Sequence, residues 1–258
     1  MIDSRAVVDE KAQIHPSVKI APYAVIGPDV ELKAGVTVGA HAVIDGHTTI
    51  GEDARIFPHA AVGFQPQDLK YKGEPTTLEV GARTMVREFA TLHIGTEGGG
   101  GATKVGSDCL IMAYAHVAHD CIVGNGVILA NSATLAGHVT LEDHVIVGGL
   151  TGIHQFVRVG EHAIVGGGAV VLMDIPPFVT AGRNPARLAG LNLVGLKRRG
   201  FDRPKIKAIR SAYRALFQSK DNLSTAVKNL MEMEEYQIDE VKKMVSFIEA
   251  SERGVTRT

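Results

Sequence analysis

The sequence predicts an all-β solenoid of hexapeptide repeats followed by a small α-helical C-terminal domain, and two observations support this prediction. Aliphatic residues recur at every sixth position over residues 2–62, again over 80–92 and, after a shift of one residue, over 105–171. A helix repeats near 3.6 residues and a plain strand at 2, so neither explains this period. A parallel β-helix does, because each hexad lays one short flat side and three sides close one coil. Beyond residue 177 the apolar pattern becomes helical.

The first predicted domain, residues 1–177, is interrupted by two loops. The hexad pattern lapses at 64–79, where a polar stretch contains Pro and Gly, and at 95–104, which contains four consecutive glycines and shifts the frame. Polar excursions from a rigid scaffold often carry function. A run of glycines favours a flexible loop over packed structure. We therefore expect the first loop to carry function and the second to cover or border a site.

The second predicted domain, residues 178–258, contains a connector and helices. It follows Pro176 and Pro177, which cannot donate hydrogen bonds to a strand ladder and so mark the end of the coils. Helical patterns cover four stretches: 192–200, 204–219, 223–233 and 238–251.

A strongly basic stretch lies inside this second domain, although the chain as a whole has a net charge of −1. Residues 183–220 hold eleven Lys or Arg residues against one acidic residue, Asp202, which leaves a local charge of +10. Such runs are often only solvated faces, but this concentration favours an anionic ligand or partner. The near-neutral total gives no indication of nucleic-acid binding.

Targeting signals and disulfides are not expected. No apolar run reaches membrane-spanning length, and the N-terminus lacks the basic and apolar regions of a signal peptide, so we expect a cytoplasmic location and no transmembrane segment. The two cysteines, Cys109 and Cys121, occupy small positions of their hexads on different sides of the predicted prism. We expect them to be buried core residues.

Separated pieces of the sequence converge on one corner of the predicted solenoid. Three hexads make a coil of 18 residues, so residues 18 apart stack at roughly the 4.8 Å spacing of neighbouring strands. His119, Gly137 and Gln155 form one column, and Asp120 and His138 form the next. The same corner collects three further histidines: His93, His116 and His154.

This histidine corner allows three interpretations. In the first, the histidines are unrelated surface residues. In the second, they bind a metal. No cysteine pattern accompanies them, however, and a glycine and a glutamine share the main column. The third interpretation, acyl transfer, needs a base with a near-neutral pKa and a donor for a developing oxyanion. His119 is the candidate base. Gly137 lets a carbonyl approach its backbone N–H, and Asp120 orients the imidazole if the corner turn brings the two side chains together.

The chain resembles bacterial UDP-N-acetylglucosamine O-acyltransferases from end to end. Five stretches carry the resemblance: QDLKYKGEP at 67–75, IMAYAHVAHDC at 111–121, TLAGHV at 134–139, HQF at 154–156 and GLKRRGF at 195–201. The resemblance implies a left-handed β-helix, a homotrimer, and no cofactor or metal. It also implies His119 as general base with Asp120 as its partner, and the Gly137 N–H as oxyanion donor.

The resemblance assigns binding positions as well. The positions that hold the sugar nucleotide or the acyl group correspond to Gln67, Asp68, Lys70, His93, His116, His138, His154 and Gln155. The uridine-diphosphate end corresponds to Asn192, Arg198 and Arg199. The residue matching Gly167 limits the acyl chain, so glycine there implies a long 3-hydroxyacyl donor. Many members carry Glu where this chain has Val194, which puts one contact on the uridine side in doubt.

The implied activity is transfer of a 3-hydroxyacyl group from acyl carrier protein to the 3-hydroxyl of UDP-N-acetylglucosamine, the first step of lipid A synthesis, without a covalent acyl-enzyme. Acyl carrier proteins are acidic, which suits the basic stretch. A related N-acyltransferase carries an added N-terminal uridine-binding domain, whereas the hexads here begin at Ile2. A γ-type carbonic anhydrase would bind zinc through such histidines, and a purely structural scaffold would need none of them. The sequence does not separate a 3-hydroxyl from a 3-amino acceptor.

Overall fold

The computed structural model describes residues 1–258 and confirms a left-handed parallel β-helix with helices at its C-terminal end. Three sheets form the faces of a prism. Face 1 contains Val7–Val8, Val25–Ile26, Val43–Ile44, Ala61–Phe64, Thr91–His93, His116–Val117, Thr134–Leu135, Gly152–Ile153 and Val170–Val171. Face 2 contains Gln13–Ile14, Val30–Leu32, His47–Ile50, Thr77–Val80, Ala102–Val105, Ile122–Val123, Thr140–Leu141 and Arg158–Val159. Face 3 contains Lys19–Ile20, Thr37–Val38, Arg55–Ile56, Met85–Val86, Leu110–Ile111, Ile128–Leu129, Ile146–Val147, Ile164–Val165, Val179–Gly182 and Arg187–Leu191.

The strands stack in the predicted 18-residue register. His116 pairs with Thr134, and Thr134 pairs with Gly152. The register lengthens to 30 residues between Ala61 and Thr91 and to 25 between Thr91 and His116, because the two loops insert extra residues. The second insertion is one residue longer than a hexad, which explains the shift of frame.

Both loops are shorter than predicted. Strands resume at Thr77 and at Ala102, so residues 77–79 and 102–104 belong to face 2 rather than to the loops expected at 64–79 and 95–104. The loops proper cover residues 65–76 and 94–101. Residues 77–79 and 102–104 form strands because the neighbouring coils satisfy their backbone hydrogen bonds.

The aliphatic residue of each hexad points into the prism. Ile44, Val62, Leu92, Val117 and Leu135 are all fully buried. Their outward neighbours along the strands are more exposed, as expected where successive side chains alternate between two faces. The period of six therefore reports a stack of aliphatic side chains along each inner face.

The solenoid does not end at residue 177. Val179–Gly182 continues face 3 in parallel with Ile164–Val165, and Arg187–Leu191 pairs with it in antiparallel orientation. Phe178 is completely buried at this end of the prism. Residues 178–191, predicted to be a connector, thus close the last coil with two strands.

The predicted helices are present. They are α1 Leu193–Arg198, α2 Arg203–Phe217, α3 Leu223–Met231 and α4 Asp239–Glu249, with single 3₁₀ turns at Glu97–Gly99 and Glu234–Gln237. The side chain of Asp202 accepts a hydrogen bond from the Lys205 N–H and so begins α2. One continuous apolar core joins the coils to these helices. None of the helices has the length and apolar character needed to cross a bilayer.

Three corners connect the faces, and each has a residue with positive φ on successive coils. The first corner, between faces 1 and 2, has Asp120, His138 and Phe156 at this position. The second corner, between faces 2 and 3, has His144, His162 and Phe178. The third corner carries a stack of aromatic rings with centroids 4.9–5.1 Å apart: Tyr23, His41, His59, Phe89 and Tyr114. These corner columns decide which distant residues meet.

The burial of His162 predicts that the folded state loses stability in acid. His162 is 8% exposed, and burial lowers its pKa to about 4, so the unfolded chain binds a proton below about pH 6.5 that the folded chain rejects. This contribution to stability is therefore complete above pH 6.5 and decreases as the pH falls toward 4. His162→Phe should reduce the loss of unfolding free energy between pH 7.5 and 5 by about 2 kcal/mol. Denaturant titrations at both pH values measure this; exposed His15→Phe is the control, and an equal effect in both variants would contradict it.

Candidate active site

His119 and Asp120 form a hydrogen-bonded pair at the first corner. His119 Nδ1 lies 2.7 Å from Asp120 Oδ2. Adjacent side chains point to opposite sides of a straight strand, but Asp120 adopts φ 60° in the corner turn. The turn therefore places both side chains on the same side of the chain, as the acid–base interpretation requires.

The glycine-rich loop covers Asp120. The backbone N–H of Thr96 donates to Asp120 Oδ1 at 2.8 Å, and the Thr96 hydroxyl donates to Oδ2 at 2.6 Å. A Cβ added to Gly99 would lie 2.0 Å from the Asp120 carboxyl carbon, so only glycine permits this close approach. The Asp120 side chain is fully buried as a result. The loop predicted to border a site therefore orients the carboxylate.

The hydrogen bond to Asp120 determines the chemistry of His119. A carboxylate only accepts, so Nδ1 carries the proton and Nε2 presents a lone pair. Nε2 has no hydrogen-bond partner within the chain, and the His119 side chain is 14% exposed. The free nitrogen of an imidazole oriented in this way can accept a proton from a substrate.

Gly137 lies against the His119 ring. A Cβ at this position would lie 2.5 Å from His119 Cε1, so any side chain would displace the imidazole. The Gly137 N–H donates to no group of the chain. Glycine is thus needed for packing, and it leaves a backbone donor beside the candidate base.

His138 completes the corner. Its Nε2 lies 3.7 Å from Asp120 Oδ2, and its ring stacks on Phe156 with centroids 4.4 Å apart. Burial, more than any neighbouring charge, lowers the pKa of His138. This favours the neutral ring.

A metal is the alternative occupant of this corner, because His119, Asp120 and His138 offer three ligand atoms within 4.8 Å of one another. The distance of 2.7 Å between His119 Nδ1 and Asp120 Oδ2 is that of a charge-assisted hydrogen bond. It leaves no space for an ion between those two atoms. The geometry fits a proton-transfer pair better than a zinc site.

Both loops border one cavity of about 460 Å³. Asp68 and Lys70 from the first loop face Thr96 from the second, and His138 and Phe156 form the floor. Gln67 is exposed beside the cavity, and Leu69 at the loop tip is fully exposed. Asp68 and Lys70, two of the three predicted binding residues of the first loop, thus share a cavity with His138.

His93 and His116 lie on face 1 beside this corner. Burial, together with the charges of His116 and His119, lowers the pKa of His93 to about 4, so its ring is neutral. The His116 ring meets His93 edge to face at 4.9 Å, and His116 Nδ1 lies 2.7 Å from the Thr91 hydroxyl. His154 and Gln155 are exposed two coils beyond His119.

Four predicted binding residues lie elsewhere in the chain. Asn192 sits at the second corner, where its Oδ1 accepts from the Gly195 N–H at 2.9 Å and its Nδ2 donates to the His162 carbonyl at 2.8 Å. Its buried amide caps α1 and is already occupied, which differs from the expected ligand contact. Arg198 and Arg199 end the same helix. Gly167 lies at the third corner, on the far side of face 1.

Two residues of the candidate site were not predicted from the sequence. Thr96 lies in the seven-residue insertion, which breaks the 18-residue register used to find neighbours. Phe156 does follow that register, as the next member of the Asp120 and His138 column. It was not considered because its side chain is apolar. Arg253, from the end of the chain, also reaches this side, with Nη2 3.2 Å from His154 Nδ1.

The packing of Gly137 generates a direct test. In Gly137→Ala the new methyl group should displace the His119 ring and break its bond to Asp120, because the two atoms would otherwise be 2.5 Å apart. The strongly deshielded proton resonance of an Nδ1–H shared with a carboxylate should disappear. Gly152→Ala is the matched control, since a Cβ there meets open space. Retention of the resonance in Gly137→Ala would contradict this packing role.

Comparison with known proteins shows which families this chain resembles. The family profile described as Udp N-acetylglucosamine O-acyltransferase, Domain 2, matches residues 174–256. The profile described as bacterial transferase hexapeptide (six repeats) matches residues 11–46 and 102–137. Together they cover two parts of the coils and the helical end.

Full-length relatives extend the match over the entire chain. The acyl-[acyl-carrier-protein]–UDP-N-acetylglucosamine O-acyltransferase of Herminiimonas arsenicoxydans is 49% identical over 260 residues, covering 100% of this chain and 99% of the relative. The solved UDP-N-acetylglucosamine acyltransferase of Campylobacter jejuni is 42% identical, covers 100% of both chains and superposes with a TM-score of 0.94. The Bacteroides fragilis structure is 40% identical with the same coverage and a TM-score of 0.97. The chain therefore belongs to the family of UDP-N-acetylglucosamine O-acyltransferases.

Proposed function

We propose that this protein transfers a 3-hydroxyacyl group from acyl carrier protein to the 3-hydroxyl of UDP-N-acetylglucosamine, the first step of lipid A biosynthesis. One observation carries the proposal. His119, held by Asp120 at 2.7 Å, presents a free Nε2 beside the unoccupied N–H of Gly137. An acyl transfer needs this combination of a base and an oxyanion donor.

The reaction proceeds in two steps. His119 Nε2 takes the proton of the sugar hydroxyl as its oxygen attacks the thioester carbonyl, and the Gly137 N–H donates to the resulting oxyanion. Collapse of this intermediate breaks the carbon–sulfur bond. The imidazolium of His119 then returns the proton to the leaving thiolate. The buried Asp120 carboxylate stabilises the imidazolium between these steps, as a carboxylate does in other acyl-transfer sites.

The site is proposed to be shared between chains of a homotrimer. His119 lies at the first corner, whereas the predicted uridine-diphosphate residues Arg198 and Arg199 lie at the second corner of the same chain. We infer from this separation that neighbouring chains, rather than one chain, present the two groups to one sugar nucleotide. Leu69 is fully exposed at the tip of the loop that borders the cavity, as expected for a side chain that contacts another copy.

The basic face of α2 is the proposed contact for acyl carrier protein. Arg203, Lys207, Arg210 and Arg214 recur at helical spacing, are exposed, and form no ion pair within the chain. Lys205, by contrast, pairs with Glu240 at 2.7 Å and is not free for a partner. A row of unpaired cations on a rigid helix suits an acidic carrier protein.

The base assignment predicts a large loss in one kinetic constant. His119→Ala should lower kcat by roughly 10²–10⁴-fold, the usual contribution of a general base, and leave UDP-sugar binding nearly unchanged. Steady-state kinetics with calorimetric binding of UDP-N-acetylglucosamine measure both quantities, and exposed His15→Ala is the control. A variant with near wild-type kcat would refute the mechanism. Zinc found by metal analysis, together with absence of acyl transfer, would favour the anhydrase alternative.

The carrier-protein contact predicts a selective effect of charge. Lys207→Glu with Arg210→Glu should raise the KM for the acyl carrier protein about tenfold at low salt and change the KM for the UDP-sugar little. The difference should shrink above 0.1 M salt, where exposed charges are screened within about 10 Å. Lys11→Glu with Lys19→Glu applies the same change of charge to exposed residues at the opposite end. Equal effects of both double variants would show that the α2 face is only solvated.

Gly167 is proposed to limit the acyl chain. A Cβ there would lie 3.1 Å from the Gly149 carbonyl oxygen, so a side chain fits only if the backbone yields slightly. Gly167→Met should fill the groove and shift preference toward shorter 3-hydroxyacyl donors, because a filled space does not accommodate extra methylenes cheaply. Competition between donors of different lengths, read by product mass, measures this preference. An unchanged ratio at unchanged melting temperature would place the acyl groove elsewhere.

A further inference from the structure

The C-terminal tail returns from the helices to the last coil and is fixed there. The Asp174 N–H donates to the Gly254 carbonyl at 3.0 Å, and the Thr256 N–H donates to the Asp174 carbonyl at 2.8 Å. The Ser251 hydroxyl donates to Asp174 Oδ2 at 2.7 Å. Asp174 itself is 1% exposed. These bonds hold the segment that carries Arg253 against the solenoid beside the active site.

Arg253 has a fixed guanidinium without a carboxylate partner. Its Nε and Nη2 both donate to the Leu172 carbonyl, at 3.4 and 3.2 Å. Its Nη2 also lies 3.2 Å from His154 Nδ1. None of the ion pairs of the chain includes Arg253. Together with His138, Phe156 and Arg158, it lines a cavity of about 510 Å³.

The contact with Arg253 decides the tautomer of His154. A guanidinium only donates hydrogen bonds, so it can bond His154 Nδ1 only where that atom offers a lone pair. Nδ1 also lies 3.1 Å from the Gln155 carbonyl oxygen, to which it can bond only if it carries a proton. The two bonds exclude each other in a neutral ring. A proton on Nδ1 would face the guanidinium N–H groups, whereas a lone pair there accepts from a charged donor.

We propose that Arg253 is a positioning residue that holds His154 in the tautomer protonated on Nε2, so that His154 donates a hydrogen bond to an oxygen of the sugar nucleotide. This inference rests on the proposed function for the identity of the ligand. His154 follows the coil of Gly137 in the stack and is exposed, which gives its Nε2 access to a bound substrate. In the other tautomer Nε2 would only accept a hydrogen bond, so it could not donate to a phosphate or carbonyl oxygen, which carries no proton.

Long-range ¹H–¹⁵N correlation of the histidine rings tests the tautomer without substrate. In ¹⁵N-histidine-labelled full-length protein, the resonances assigned to His154 by their loss in His154→Gln should show the Nε2–H pattern. Arg253→Ala should convert them to the Nδ1–H pattern, since the bond to the Gln155 carbonyl is then unopposed. Arg253→Lys should keep the Nε2–H pattern because it restores a cationic donor. Arg257→Ala is the matched control from the same tail, because the Arg257 side chain donates only to the Asp221 carbonyl, at 3.4 Å.

Kinetics test the consequence of that tautomer. Arg253→Ala should raise the KM for UDP-N-acetylglucosamine roughly tenfold with little change in kcat, the effect expected from loss of one binding hydrogen bond. Arg253→Lys should recover most of this loss. An Nδ1–H pattern in the wild-type protein, an unchanged pattern in Arg253→Ala, or an altered pattern with unchanged KM would each overturn the proposal. Absence of acyl transfer by the wild-type protein would overturn the proposed function instead, because the tautomer is read independently of activity.

Discussion

The parallel stacking of coils at an 18-residue register is the constraint on which the rest of the structure depends. Backbone hydrogen bonds between successive coils fix the height of every residue, and the inward aliphatic side chains fix its rotation. A shift of one residue would exchange buried and exposed side chains along a strand. The corner residues therefore have little conformational freedom. Side chains that are tens of residues apart in the sequence are held at fixed distances by the sheet register.

Asp120 links the solenoid scaffold to the candidate active site. Its carboxylate accepts hydrogen bonds from the backbone N–H and the hydroxyl of Thr96 and lies within hydrogen-bonding distance of His119. Burying a carboxylate is costly unless donors satisfy it, so the glycine-rich loop is a structural requirement as well as a cover. Gly99 and Gly137 serve the same end, because each removes a side chain that would separate Asp120 or His119 from its partner. The corner thus combines a rigid ladder with two positions where only glycine fits.

The sequence predicted the features that follow from the hexapeptide repeat. It did not predict the features of segments outside the repeat. The stacking of His119 on Gly137 and of Asp120 on His138 follows from the period alone, and so does the burial of Cys109 and Cys121. Thr96 could not be placed, because its loop has no register, and the coil that residues 178–191 complete was hidden by the prolines before it. Arg253 was unpredictable for a further reason: only the packing of the helices determines where the tail returns.

The division of the predicted substrate contacts between two corners underlies the proposal that neighbouring chains share one site. Mixing His119→Ala protein with Arg199→Ala protein after dissociation and reassembly tests it most directly. If neighbouring chains contribute the two residues, about a quarter of the sites in randomly mixed trimers regain both wild-type groups, and acyl-transfer activity should rise far above that of either variant alone. If both residues act within one chain, every site retains a defect, and mixing should restore nothing.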